Sequence, residues 1–212
     1  MTELMFYTNP MSRGQTIRWM LEEIGEPYQT ELLDYGTTMK AESYLSINPM
    51  GKVPAIQHGD KIVTEVAAIC VYLADAFPQA GLAPDPADRA DYYRWIFFTS
   101  GPVEAAFTAK SMGWEVPAEK QAMTGFGSYE RTMSTHEKGL SGKRFIAGDR
   151  FTAADLFVGA MVGFMLQFKL LEPTPVFTDY VTRMTDRDAY RTAQAIDGQL
   201  IAEMQAKQPQ PA

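Results

Sequence analysis

Residues 63–69, VTEVAAI, combine an anion-binding element with a carboxylate. The pattern predicts that a strand ends and a helix begins here. The first backbone N–H groups of a helix have no partner inside the helix and bind anions well, and Glu65 adds an acceptor for a cationic amine. A carboxylate site beside an ammonium site fits the headgroup of an amino acid. A structural explanation also stands, in which Thr64 caps the helix and Glu65 complements its dipole.

A second polar stretch, YTNPMSRGQ at residues 7–15, carries a phenol, an amide and a hydroxyl but no cysteine. It connects a short apolar run to an amphipathic helical pattern, so the polar groups lie in a strand-to-helix turn. Tyr7, Asn9 and Ser12 are hydrogen-bond donors that could serve a ligand. Structural roles compete with this, because Ser12 and Gln15 fit a capping box and Tyr7 ends a buried strand.

Residues 50–56, MGKVPAI, place Pro54 where a strand is predicted to begin. Proline has no backbone N–H, so it belongs at a sheet edge or at the first residue of a strand. The sequence is compatible with either isomer of the Val53–Pro54 bond. A cis bond would turn the Val53 backbone outward as a free hydrogen-bonding edge.

Thr152 and Asp155 stand at the spacing of a capping box, in which each residue bonds the backbone of the other. They precede a helical pattern that is apolar on nearly all sides. We therefore expect a structural role, and loss of Asp155 should damage folding more than chemistry.

The elements that must position these residues fall into two groups. Up to residue 78 the patterns predict strand, helix, strand, then a hairpin and a second helix, which is an α/β domain with one parallel strand pair. The segment PQAGLAPDPAD, residues 78–88, has three prolines and one glycine, and we place a linker at 79–87. Residues 88–212 predict helices only, including one over 117–138 and a kink at Gly101–Pro102.

The start of this helical domain is rich in aromatic residues, too many for one core stripe. Some of them are expected to line a hydrophobic pocket, although a core role fits any single one. The pocket candidates are Tyr93, Phe97, Phe107 and Trp114.

Composition excludes several classes of function. The 212 residues carry a net charge of −7, which argues against nucleic acid as a partner. One cysteine and two histidines cannot form an internal disulfide, a Cys-x-x-Cys pair or a structural zinc site, so we expect no metal. The longest uncharged helical run, 156–168, is too short to span a bilayer, and no signal peptide is evident. We expect a soluble cytoplasmic protein without a membrane partner.

Taken together, these segments resemble the glutathione transferases over essentially the whole chain. Residues 50–56 look like the family's cis-proline segment, residues 63–69 like its Glu-Ser glutathione clamp, and residues 151–155 like its helix capping box. The opening resembles bacterial members that begin Tyr-x-x-Pro-x-Ser. The resemblance implies an N-terminal thioredoxin-like domain of order βαβ-ββα, an all-helical C-terminal domain and a cis bond before Pro54.

The resemblance also implies that glutathione lies across the first domain as a co-substrate. The Val53 backbone, beside Pro54, would pair with the cysteinyl part. Glu65 would bind the γ-glutamyl ammonium, and the N–H of Val66 would bind the γ-glutamyl carboxylate. Lys52 is the candidate for the glycyl carboxylate. The family usually has serine where this chain has Val66, so a hydroxyl contact is lost and weaker glutathione binding is expected.

The resemblance implies that the protein lowers the thiol pKa of glutathione, so that the thiolate attacks a hydrophobic electrophile over the aromatic side chains of the helical domain. Free glutathione has an ordinary thiol with a pKa of about 8.5. A hydroxyl donor and a helix N-terminus aimed at the sulfur would lower it, and the substrate brings its own sulfur, so no cysteine of the protein is needed.

Members of the family differ in the hydroxyl that they use. Tyr7 stands eleven residues before Arg18, the spacing of the tyrosine-type members, which favours Tyr7 slightly. Ser12 lies where the serine-type members keep theirs, and Asn9 is a third candidate. The resemblance leaves two alternatives to conjugation: a glutathione-dependent peroxidase or isomerase, and a non-catalytic binding protein. It also implies a homodimer.

Overall fold

The computed structural model describes residues 3–207, which form two compact units. The first unit joins the chain up to Ala80 to the chain from Arg187 onward, and the second is Gly81–Asp186. The outermost residues of the predicted domains, 1–2 and 208–212, lie outside the described part.

A four-stranded sheet organises the first unit. Its strands are β1 (Leu4–Thr8), β2 (Gln29–Leu32), β3 (Ala55–His58) and β4 (Lys61–Thr64). Their spatial order is β2-β1-β3-β4, with β1 parallel to β2 and the other neighbours antiparallel. The parallel pair needs a crossover connection, which a helix supplies, and the antiparallel pair β3–β4 closes through a tight turn with Gly59 at a φ of 62°.

The α-helices are α1 (Gly14–Ile24), α2 (Glu42–Leu45), α3 (Val66–Ala76), α4 (Ala90–Phe98), α5 (Glu104–Ser111), α6 (Tyr129–Leu140), α7 (Ala153–Gln167), α8 (Pro175–Thr185) and α9 (Asp188–Lys207). The first unit thus contains the order βαβ-ββα, with the short α2 inserted before β3, and the predicted fold class is confirmed. Helix α1 buries the apolar stripe that its spacing predicted, including Ile17 and Leu21, and ends at Gly25 with a φ of 72°.

Helix α9 packs on α1 and therefore belongs to the first unit, whereas the sequence predicts a helical domain that runs from 88 to the end. The Arg18 guanidinium donates to the Asp197 carboxylate at 2.7 Å, and both side chains are buried. The rings of Trp19 and Tyr190 meet edge to face, with centroids 5.0 Å apart. A polar and an apolar contact thus join two helices that are far apart in sequence.

The second unit contains α4 to α8, and it departs from the predicted helices at one place. The expected kink is a π-helical turn, Thr99–Val103, with Pro102 inside it. The single helix predicted over 117–138 is wrong: a 3-10 helix, Ala118–Met123, ends before Gly127, which has a φ of 65°. Helix α6 then starts afresh, with the Ser128 side chain accepting the N–H of Arg131 as an N-cap.

The most buried helix, α7, begins with the capping box of Thr152 and Asp155. The Asp155 carboxylate is fully buried and also accepts the N–H of Ile146 at 2.7 Å and the hydroxyl of Tyr180 at 2.8 Å. One carboxylate therefore links the helix start, the preceding loop and α8. Among the described residues, no helix combines the length and the apolar character needed to cross a membrane.

His136 on α6 makes the stability of this unit depend on pH. Its ring is fully buried among Trp95, Phe98 and Phe177, and burial lowers its pKa from 6.5 to about 4. Between these pH values the unfolded chain binds a proton that the folded chain does not, so stability falls as pH falls from 6.5 towards 4. The loss should approach about 3 kcal/mol, since each pKa unit is worth about 1.4 kcal/mol.

Urea unfolding at several pH values between 4 and 7 measures this loss. His136→Phe is the matched control, because it keeps an aromatic ring and removes the titrating group. We expect the variant to lose part of the wild-type pH slope. Identical slopes in the two proteins would contradict the assignment.

Candidate functional site

One end of the sheet collects the segments that the sequence singled out. Tyr7 in β1 stands opposite Ala55 in β3, and Ala55 stands opposite Thr64 in β4. The turn after β1, the segment before β3 and the segment after β4 therefore leave the sheet at the same end. Neighbouring strands lie about 4.8 Å apart, so this end spans about 10 Å from β1 to β4.

Tyr7 is buried on the sheet face that α2 covers. Its ring packs with Leu33 and Tyr44, at a centroid distance of 5.7 Å from Tyr44. Its hydroxyl donates to the Gln57 side chain at 3.2 Å. Burial, with a smaller contribution from Glu31, raises the pKa of the phenol. Tyr7 is thus a core residue whose proton is already used inside the protein.

Asn9 shapes the turn after β1. Its amide nitrogen donates to the Leu33 carbonyl at 2.8 Å, its amide oxygen accepts the Met11 N–H at 3.0 Å, and the side chain is buried. Both ends of the amide are engaged, so Asn9 holds the loop in place.

Ser12 is the half-buried donor of this turn and lies two residues before the first residue of α1. Its hydroxyl donates to the Asn9 carbonyl at 2.6 Å and accepts the Gly14 N–H at 2.9 Å. The capping box expected with Gln15 does not form: the N-cap position is Arg13, and the Gln15 amide donates to the Pro10 carbonyl. Ser12 is thus a half-buried residue near the start of a helix, and its hydroxyl makes two hydrogen bonds within the turn.

Gly14 allows this tight arrangement. A Cβ at position 14 would lie 2.0 Å from the Thr8 hydroxyl oxygen and 2.9 Å from that of Ser12. Since Thr8 is fully buried, it cannot move aside, and only glycine fits.

The segment before β3 has a cis bond between Val53 and Pro54. Neither the N–H nor the C=O of Val53 has a hydrogen-bond partner within residues 3–207. The preceding carbonyl, of Lys52, accepts two donors: the hydroxyl of Tyr44 at 2.5 Å and the amide of Asn48 at 2.8 Å. The backbone at Val53 is therefore fixed in position by the bonds to Lys52, and its own N–H and C=O remain available to a ligand.

Sequence reasoning missed Tyr44 and Asn48, although Asn48 precedes a proline, which is a turn signal. It also missed Lys40, whose ammonium donates to the Gly51 carbonyl at 2.7 Å. Lys52 itself is exposed. Two lysines therefore lie along the chain segment that leads into the Val53 edge.

Glu65 and Val66 stand at the start of α3. Glu65 has a φ of 68°, the left-handed region that a residue with a side chain adopts at a cost. Its carboxylate is exposed and has no ion-pair partner among the described residues. The first N–H groups of α3, beginning with Val66, have no acceptor within the helix. The strained residue thus places a free carboxylate beside an anion-binding helix terminus.

The four aromatic candidates of the second unit separate into two groups. Phe107 is a core residue that packs against Phe164 at a centroid distance of 6.1 Å. Tyr93 and Phe97 lie on the exposed face of α4, where Phe97 is 61% exposed. Trp114, after α5, is 66% exposed and lines a cavity of about 360 Å³ with Lys110 and Tyr129.

A metal site is not evident in the described part of the chain: no three histidine, cysteine or carboxylate side chains are placed to hold an ion together. Cys70 is fully buried, and burial raises its thiol pKa to about 12. The polar side chains at this end of the sheet carry hydroxyl, amide, ammonium and carboxylate groups.

Comparisons with known proteins agree with this architecture. Residues 11–76 match the family model of the glutathione S-transferase N-terminal domain, and residues 104–190 match that of the C-terminal domain. Glutathione S-transferase A of Pleuronectes platessa is 28% identical over 86% of this chain and 92% of its own length. Glutathione S-transferase GST-4.5 of Xanthomonas campestris pv. campestris is 32% identical, but this alignment spans only 49% of the chain and 52% of that protein.

A solved structure extends the likeness to three dimensions. The glutathione S-transferase of a sphingomonad, complexed with glutathione, superposes with a TM-score of 0.73 at 26% identity, over 92% of this chain and 98% of that one. The two family models together cover most of the chain, in the order of its sheet and helical parts. The chain belongs to the glutathione S-transferase family.

Proposed function

We propose that the protein binds glutathione along the end of the sheet where β1, β3 and β4 meet. The observation that carries this proposal is the held Val53 backbone, whose N–H and C=O are both open to a ligand. The cysteinyl part would pair with it, as a strand pairs with an edge. An extended tripeptide is about 10 Å long, which matches the width of this end of the sheet.

The two ends of glutathione have complementary charges nearby. Glu65 would bind the γ-glutamyl ammonium, and the Val66 N–H at the start of α3 would bind the γ-glutamyl carboxylate. Lys52 would bind the glycyl carboxylate. Val66 supplies only its backbone donor, so the affinity for glutathione should be lower than with a serine at this position.

Of the three candidate donors to the sulfur, we propose Ser12. Its hydroxyl is half-buried and stands at the start of α1, where the helix dipole also favours a thiolate. The phenol of Tyr7 is engaged by Gln57, and the amide of Asn9 by two backbone groups. The Ser12 hydroxyl is also engaged, by the Asn9 carbonyl at 2.6 Å, but Ser12 is only half-buried, whereas Tyr7 and Asn9 are buried. It would turn its proton from this carbonyl towards the sulfur.

The thiolate would then attack a hydrophobic electrophile and form a carbon–sulfur bond as the leaving group departs. A drop of two units in the thiol pKa needs about 2.7 kcal/mol. One charge-assisted hydrogen bond and a helix dipole can supply this. Trp114 and its cavity in the second unit are candidates to bind a hydrophobic compound.

Ultraviolet titration of bound glutathione against pH tests the proposal. We expect thiolate to appear well below the pKa of the free thiol in the wild-type protein. Ser12→Ala should raise the pKa of the bound thiol by about 1–2 units and lower conjugation with a model aryl halide about 10- to 100-fold at neutral pH. Tyr7→Phe is the matched control and should leave the thiol pKa nearly unchanged.

A large rise of the thiol pKa in Tyr7→Phe and none in Ser12→Ala would instead identify Tyr7 as the hydrogen-bond donor to the sulfur. If the wild-type protein bound glutathione without lowering its thiol pKa, this would favour a non-catalytic binding protein instead. The valine at position 66 is the feature that favours this second function.

We also propose that the protein is a homodimer. Phe97 and Tyr93 expose aromatic surface on α4, and Ile62 exposes aliphatic surface on β4, an edge strand. Light scattering at micromolar concentration should give twice the monomer mass of 23.7 kDa. Phe97→Asp should shift the mass towards the monomer, whereas Met123→Asp, at another exposed apolar residue, should not. A monomeric wild type would refute the proposal.

A further inference from the structure

Tyr35 lies at the same turn as Ser12, and the proposed function assigns it no role. It follows β2 in a loop held by two bonds: the Asp34 N–H donates to the Thr38 hydroxyl at 2.7 Å, and the Met39 N–H donates to the Asp34 carbonyl at 3.1 Å. The Tyr35 hydroxyl donates to the Met11 carbonyl at 3.1 Å, across 24 residues of sequence. A phenol is thus anchored on the residue directly before Ser12.

The hydroxyl of Ser12 can accept one more hydrogen bond. A serine hydroxyl has one proton and two lone pairs. In the structure the proton points to the Asn9 carbonyl, and one lone pair receives the Gly14 N–H. When the proton turns to a thiolate, the second lone pair remains open to a donor.

We propose that Tyr35 is a positioning residue for the sulfur, whose hydroxyl donates to Ser12 while Ser12 donates to the thiolate of glutathione. This role rests on the proposed function of Ser12. Hydrogen bonds in a chain strengthen one another, because each donor becomes more acidic when its own oxygen accepts a bond. Tyr35 would therefore act on the sulfur through Ser12.

The charge state of Tyr35 suits this role. Burial raises the pKa of its phenol, so Tyr35 keeps its proton at neutral pH. The Met11 carbonyl that its hydroxyl binds belongs to the residue next to Ser12. A protonated phenol that is 53% exposed can turn from the Met11 carbonyl to Ser12 without disturbing the core.

A double-mutant cycle with Tyr35→Phe and Ser12→Ala tests the proposal. The readouts are the pKa of the bound thiol and the affinity for S-methylglutathione, which has no thiol proton. Tyr35→Phe should raise the thiol pKa by about half a unit, roughly a threefold change in ionisation. It should leave S-methylglutathione binding unchanged and should have no further effect in the Ser12→Ala background.

Tyr72→Phe is the matched control, because its hydroxyl contacts the His58 ring at 2.9 Å at the opposite end of β3. This control should not change the thiol pKa. Suppose that the wild-type protein lowers the thiol pKa as expected. The role of Tyr35 alone would then be overturned if Tyr35→Phe left this pKa unchanged, or if it shifted the pKa equally with Ser12 and with Ser12→Ala. A wild-type protein without a lowered thiol pKa would overturn the proposed function itself.

Discussion

Replacing Asp197 by alanine should lower the free energy of unfolding by about 3–5 kcal/mol, because it leaves the Arg18 guanidinium buried without its counter-charge. The two side chains are 2% and 3% exposed and lie 2.7 Å apart. Burial raises the pKa of Asp197 more than Arg18 lowers it, as expected for a carboxylate that loses its hydration. Urea unfolding followed by circular dichroism measures the loss.

A double variant separates the pair from the packing around it. Arg18→Met with Asp197→Leu removes both charges and keeps apolar volume, so it should be clearly more stable than Asp197→Ala. The Arg18 guanidinium also donates to the Tyr28 hydroxyl at 3.1 Å, and the double variant gives up this bond. If Asp197→Ala were as stable as wild type, α9 would not be held to α1 by this pair.

Loss of the Asp155 carboxylate should be comparably damaging to the second unit. Asp155→Ala removes the acceptor of the Ile146 N–H, the Thr152 N–H and the Tyr180 hydroxyl. Each buried donor left without a partner costs about 1–3 kcal/mol, so we expect a loss of about 3 kcal/mol or more. The midpoint of urea unfolding reports it.

Asp155→Asn is the control for this prediction, since it keeps one carbonyl oxygen at the same place. It should recover part of the stability lost in Asp155→Ala. Glutathione binding per folded molecule should be unchanged in both variants, because Asp155 lies in the second unit. Normal stability with altered binding would contradict a structural role.

Much of the first unit could be predicted because its signals are local. The stripe that includes Ile17 and Leu21 marks α1, Gly59 marks the hairpin, and each signal depends on residues only a few positions apart. The spacing of Thr152 and Asp155 likewise indicated the capping box that the structure contains. The prediction of one helix over 117–138 was wrong. Residues on both sides of Gly127 favour a helix, but Gly127 itself adopts a positive φ, which an α-helix does not allow.

The choice among site residues depended on contacts between distant segments. Spacing slightly favoured Tyr7 over Ser12, but the direction of a side chain at the end of β1 depends on what covers each face of the sheet. Tyr44 and Gln57, which are 37 and 50 positions away, contact Tyr7 on the inside of the protein. Phe107 likewise lies in the core because it packs against Phe164, a residue on a different helix.

The family, the order of strands and helices in the first unit, and the set of polar residues from which a site could be built were predictable from the sequence, because they follow from local patterns and short motifs. Only the three-dimensional contacts place α9 in the sheet unit, set Tyr44 and Asn48 against the carbonyl before the Val53 edge, and bond Tyr35 to the Met11 carbonyl next to Ser12. Such contacts join residues separated by 4 to 179 positions. Most of them lie beyond any local pattern, since they arise only when the sheet register and helix packing bring distant segments together.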